Sequence, residues 1–165
     1  MAIYQEATPA LQCAMEIAYL CAARIGDVQD LEWRQETDLG LFVQQSKTGV
    51  KQIKEYTDRL RAVLDHARSL GGRRYIIANK FGDKYSHKRL KTLWVNARRE
   101  AGKKLGYELI CHFHDLKAKG ISDYDGSSRD KQVSSGHKTE MQVITYDRKT
   151  KISPTLDLPL IKKSE

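Results

Sequence analysis

The sequence predicts an α+β domain, mostly helical, with a small antiparallel sheet (a hairpin) on one side. Three observations predict it. Apolar residues recur at helical spacing behind recognisable caps. One stretch, "LGLFVQQSKTGVKQIKEY", sets two β-rich arms around a Lys-Thr-Gly turn. The length of 165 residues, 40% of them hydrophobic, suits one domain with a core of its own.

Taken in order, Thr8-Pro9 reads as an N-cap with proline at the first helical position. The helix after it runs towards Ala23, with Leu11, Met15, Ala18 and Ala22 on one face. Gly26-Asp27 interrupts that pattern, and "DVQDLEW" begins a second short helix. In the hairpin turn Gly49 supplies positive φ. Thr57 or Asp58 caps a helix through Leu70 that Gly71-Gly72 terminates, and "RRYII" is a short buried strand or extended segment. Ser86 caps a helix from Lys88 to Ala101, closed by Gly102, with Leu90, Leu93, Trp94, Ala97 and Ala101 along one stripe. Short helices follow from His114, separated by "SDYDGSSRD". In "VSSGHKTEMQVITYDRKT" the apolar Met141, Ile144 and Val143 are expected to face a core, with Tyr146 half-buried.

Composition narrows the function. Lys and Arg number 29 against 21 Asp and Glu, a formal charge of +8, which suits a polyanionic partner such as nucleic acid. Cys13, Cys21 and Cys111 show no paired spacing, so neither a disulfide framework nor a zinc ribbon is expected. "SDYDGSSRD" lacks the glycine and closing glutamate of a calcium loop. No metal and no cofactor are expected. The N-terminus has no signal-peptide pattern, and "LQCAMEIAYLCAA" is too short and too polar to span a membrane, so the expected place is the cytoplasm.

Five elements carry candidate chemistry, in this order: "AARIGD" with Arg24 and Asp27, "SKTG" with Lys47, "FHDLK" with His114 and Lys117, "SGHKT" with His137, and "ITYDRK" with Tyr146. Singly, each has a plainer role. Arg24 could be a helix-end cation, Asp27 an N-cap, Lys47 a solvated turn residue and His114 a packed ring. As an ordered set from Leu11 to Arg148 they resemble the catalytic domain of the tyrosine recombinases, the phage integrase family.

The resemblance implies site-specific DNA strand cleavage and rejoining through a 3′-phosphotyrosyl intermediate, without metal. Tyr146 would be the nucleophile. Arg24, His114 and His137 would hold the scissile phosphate, His114 would also accept the phenol proton, and Lys47 would be the general acid. Asp27 would orient Arg24. Electrostatic preorganisation of this kind suits an anion that gains charge during attack. Lys117 departs from the family's His-x-x-Arg: it keeps the charge but loses the planar fork. One lost charge-assisted hydrogen bond costs about 1.5–3 kcal/mol, roughly tenfold to a hundredfold in rate. Two alternatives therefore stay open, a weak or inactive DNA-binding module with this fold and a type IB topoisomerase-like nicking-closing enzyme.

The resemblance also implies that the Lys88–Ala101 helix lies against double-stranded DNA at an attachment-site core, with Lys88, Lys91, Arg98 and Arg99 as contacts. Accessory recombination proteins and a tetramer on DNA are expected, with a monomer or weak oligomer for this chain alone. Residues 1–148 would form the catalytic domain of an excised or truncated protein. Residues 149–165, apolar at Ile152, Leu156, Leu158, Leu160 and Ile161, would be a tail docking in cis or on a neighbouring protomer.

Overall fold

The computed structural model describes residues 2–147, and their chain order explains where the core sits. A short helix α1 (Ala2–Gln5) leads into α2 (Pro9–Leu20), whose Leu11, Ala14, Ile17 and Ala18 are fully buried. Thr8 stands at its N-cap position with Pro9 first in the helix, as the sequence predicts. The helix ends at Leu20, short of Ala23, because the chain turns at Ala22, which takes a φ of +48°. The next helix, α3 (Ile25–Gln29), begins immediately with Arg24 as N-cap. Gly26 and Asp27 therefore lie inside its first turn, and the interruption expected there is taken by Ala22 instead.

The sheet has three antiparallel strands in the order β1 (Glu36–Thr37), β2 (Gly40–Gln44), β3 (Lys51–Glu55). The hairpin is the predicted one, with Phe42 opposite Ile53 and Val43 opposite Gln52, while the two-residue β1 had no periodic signal to betray it. Leu41 and Val43 enter the core. The turn at 45–50 closes through Gly49 N–H to Gln45 O (2.8 Å). Helix α4 (Asp58–Ser69) is capped by Thr57, whose hydroxyl accepts from Leu60 N–H at 3.1 Å. "RRYII" is extended and buries Ile76 and Ile77, held by a bridge from Tyr75 to Glu32 rather than by a strand of its own.

Ser86 caps α5 (His87–Leu105) and the predicted stripe is buried except at Leu93, which is half-buried, but the helix continues past Gly102 to Gly106, which has a φ of +78°. Gly102 lies inside the helix because a Cβ there would stand 2.8 Å from the carbonyl of Tyr107 on the returning chain. Three short helices complete the order: α6 (Asp115–Asp123), α7 (Ser128–Ser135) and α8 (Glu140–Tyr146). Helix α6 packs directly on α2, with Gly120 against the Tyr19 carbonyl, where a Cβ would meet the oxygen at 2.1 Å. Helix α8 rests on α6 and α7. Only Val143 of its apolar trio is buried, against Ala22 and Ile121; Met141 and Ile144 are 72% and 53% exposed, contrary to the expected core face. A helix this short turns a single side towards its neighbours. Among the described residues no helix is long and apolar enough to cross a membrane. Arg148 and the tail at 149–165 lie outside the described residues.

Candidate active site

The turn after α2 and the hairpin tip are tied together by one acid. Asp27, 4% exposed, accepts through Oδ1 from the Ser46 backbone N–H (2.9 Å) and the Ser46 hydroxyl (2.7 Å). Its Oδ2 makes no hydrogen bond among the described residues and faces the Arg24 guanidinium at 3.8 Å. Arg24 in turn donates to Gln45 Oε1 at 2.8 Å. Lys47 is exposed at the same hairpin tip, close enough for its charge to act on His114.

The other half of the site comes from the last three helices. His114, at the N-cap of α6, holds its Nε2 3.1 Å from Tyr146 Oη, with the two rings edge to face at 5.5 Å. His137 follows α7 and is 7% exposed. Its ring stacks on Tyr146 at 4.9 Å between centroids and 28° between planes. Gly136 makes that placement possible: its φ of +65° ends α7, and a Cβ would stand 2.3 Å from the Gln45 amide nitrogen. The Gly-His pair thus brings a phenol and an imidazole from separate elements face to face. Just beyond the phenol, a buried ion pair between Asp147 and Lys131 (2.8 Å) fixes the end of α8 to α7.

Positive charge and burial tune these groups. Burial lowers the His114 pKa, Lys117, Arg24 and Lys47 lower it further, and Asp115 opposes them. Burial, then Lys117, Arg24 and His114, bring His137 down to about 4. Both shifts favour the neutral form of the ring. Lys117 is fully buried; its Nζ donates to Ala22 O (2.6 Å) and Ser135 O (3.3 Å). Burial, with Arg24 and Lys54 nearby, brings its pKa to about 7 against the pull of Asp27. The structure thus places Lys117 behind the site, bonded to backbone carbonyls, while Arg24, His114, His137 and Tyr146 converge.

The basic face of α5 is split. Lys88 and Lys91 are exposed; Arg98 is half-buried and donates to Cys111 O at 2.9 Å; Arg99 sits 3.6 Å from Glu100. Gln45 and Ser135, which join the two halves, escaped sequence reasoning: polar residues at a strand end and a helix end leave no periodic trace. Ser135 O accepts from both Lys117 and Gln45 Nε2 (2.7 Å).

A phenol hydrogen-bonded to a neutral imidazole, beside a guanidinium held by a buried carboxylate, is suited to attack on an anionic ester. The phage integrase family model matches residues 1–151. The chain is 31% identical over 157 residues to the integrase of Escherichia phage lambda, covering 87% of this chain and 44% of that protein. It is 29% identical over 158 residues to the integrase of Escherichia phage HK022, covering 88% and 44%. It thus spans less than half the length of these relatives. A lambda integrase (75–356) dimer bound to a COC′ core site superposes with a TM-score of 0.76 at 28% identity, over 98% of this chain and 60% of that one. The lambda integrase catalytic core gives 0.65 at 30%, over 81% and 84%. XerA recombinase, at 14% identity and a TM-score of 0.69, shares the fold. On the strength of the family match over nearly its whole length, the chain belongs to the phage integrase family.

Proposed function

We propose that this chain cleaves and rejoins DNA in site-specific recombination, with Tyr146 as nucleophile. The observation that carries this reading is the approach of His114 Nε2 to Tyr146 Oη, 3.1 Å, under a stacked His137. The Tyr146 oxygen attacks phosphorus as its proton passes to His114. The bond from phosphorus to the 5′ oxygen breaks, and Lys47 supplies the proton that completes the 5′ hydroxyl. The product is a 3′-phosphotyrosyl ester that stores the bond for rejoining. Arg24, oriented by Asp27, and both imidazoles meet the charge on the non-bridging oxygens. Lys117 supports this pocket from behind, so its departure from arginine costs a direct contact without emptying the site of cations.

The substrate is a double-stranded attachment-site core, held in part by Lys88 and Lys91, and by Arg98 and Arg99 where their present partners permit. The setting is the host cytoplasm, where self-association on DNA and accessory recombination proteins complete the reaction. The neighbours include a lambda integrase dimer on a core site and a tetramer on a Holliday junction. Residues 1–148 form the catalytic unit.

The test is a nicked suicide duplex carrying candidate core sequence. A covalent adduct on denaturing gels with the wild type, and none with Tyr146→Phe, supports the reading. Absence of adduct under all conditions favours a DNA-binding module, for which the buried Lys117 is the favouring observation.

A further inference from the structure

Ser135 occupies a junction that the strand-transfer chemistry does not by itself require. Its hydroxyl lies 2.6 Å from the carbonyl of Lys131 one turn back and 2.7 Å from His137 Nδ1. A carbonyl can only accept, so the hydroxyl hydrogen goes to Lys131. The serine oxygen is then left to accept, and the hydrogen between it and the ring must belong to Nδ1.

We propose that Ser135 is a positioning residue that locks His137 as the Nδ1–H tautomer, leaving Nε2 as a bare proton acceptor in the DNA-free protein. Nε2 is buried and has no hydrogen-bond partner among the described residues, so no second contact competes with this assignment. The groups that act electrostatically on the ring are Lys117, Arg24 and, when protonated, His114, and Tyr146 is stacked on it. All of the charges favour the neutral ring.

The consequence concerns the incoming phosphate. An anionic oxygen meeting a bare lone pair is repelled, whereas a donor is wanted there. His137 must therefore take up a proton from solvent as the phosphate arrives, becoming an imidazolium bonded on one side to Ser135 and on the other to the anion. Contact with an anion raises an imidazole pKa, which supplies the linkage.

The tautomer is read on the protein alone; its catalytic meaning rests on the proposed strand transfer. In a long-range proton–nitrogen correlation spectrum of uniformly labelled protein at pH 7, the His137 ring, assigned by its loss in His137→Gln, is expected to carry its proton on Nδ1 only. Ser135→Ala is expected to move it to Nε2, and Ser135→Thr to return it. A wild-type ring protonated on Nε2, or on both nitrogens, overturns the proposal, as does an unchanged tautomer in a folded Ser135→Ala. If Ser135→Ala does not fold, the wild-type spectrum decides. Adduct formation on the nicked duplex supplies the second readout. It is expected to fall as pH rises above neutral in the wild type and to be flatter in Ser135→Ala; equal profiles overturn the proton-uptake role. If the wild type forms no adduct while its tautomer is as expected, the strand-transfer reading fails and the lock stands.

Discussion

Lys117 donates a 2.6 Å hydrogen bond to the carbonyl of Ala22, the one non-glycine residue with positive φ among the described residues. Two residues further on stands Arg24, so a buried ammonium holds the turn that delivers the guanidinium. The charge is costly in that position, and its pKa of about 7 lies below the ordinary 10.5. Between those values the unfolded chain binds a proton that the folded one does not, so stability rises with pH from about 7 to 10.5. The gain is on the order of a few kcal/mol. Urea midpoints measured across this window should climb in the wild type and climb less in Lys117→Met.

His137 gives the acid counterpart. With its pKa brought from 6.5 to about 4, the folded protein declines a proton that the unfolded chain accepts. Its contribution is fully present above pH 6.5 and is lost as pH falls towards 4. His137→Gln should flatten that part of the stability profile, as followed by thermal melts at stepped pH.

Asp27→Ala removes the one oxygen that accepts from both the Ser46 N–H and the Ser46 hydroxyl, and with it the carboxylate facing Arg24. A loss of about 3–6 kcal/mol in chemical denaturation is expected, because two hydrogen bonds to a charged acceptor go at once. Faster amide exchange at Ser46 would locate the damage at the hairpin tip, and adduct formation should fall with it as Lys47 loses its seat.

Much of this was legible in the residues. The caps at Ser86 and Thr57, the stripe from Leu90 to Ala101 and the Lys-Thr-Gly hairpin all follow local rules, and local rules held. The convergence of Arg24, His114, His137 and Tyr146 was readable only as an ordered set, since each residue alone suits a plainer role. What escaped depends on distant backbone. Gly102 resembles a helix stop until Tyr107 returns over it, and Lys117 resembles a surface cation until Ala22 and Ser135 present carbonyls to it. Arg98 looks like a DNA contact along α5, yet the Cys111 carbonyl claims one of its nitrogens. No spacing rule encodes such meetings.

Salt dependence separates the members of the basic face. Lys88→Ala and Lys91→Ala should each lower the slope of log affinity against log salt by about 0.9 while leaving the melting temperature unchanged. Arg98→Ala should also cost stability, by about 1 kcal/mol, because the Cys111 carbonyl loses its donor. Fluorescence anisotropy on a duplex at several salt concentrations, paired with melts, distinguishes the two behaviours.

Gly120→Ala should destabilise the domain by about 2–4 kcal/mol, since the added methyl meets the Tyr19 carbonyl and neither backbone can step aside cheaply. Calorimetry or urea titration checks this.

That bare meeting of two main chains acts as a gauge block. Side chains elsewhere in the interior can swap rotamers or trade methyl groups, but peptide units in hydrogen-bonded helices have no such slack. The span between the guanidinium after α2 and the imidazole opening α6 is thereby insulated from drift in the surrounding interior, and a lineage could rework most of that interior without recalibrating the distance between those two groups.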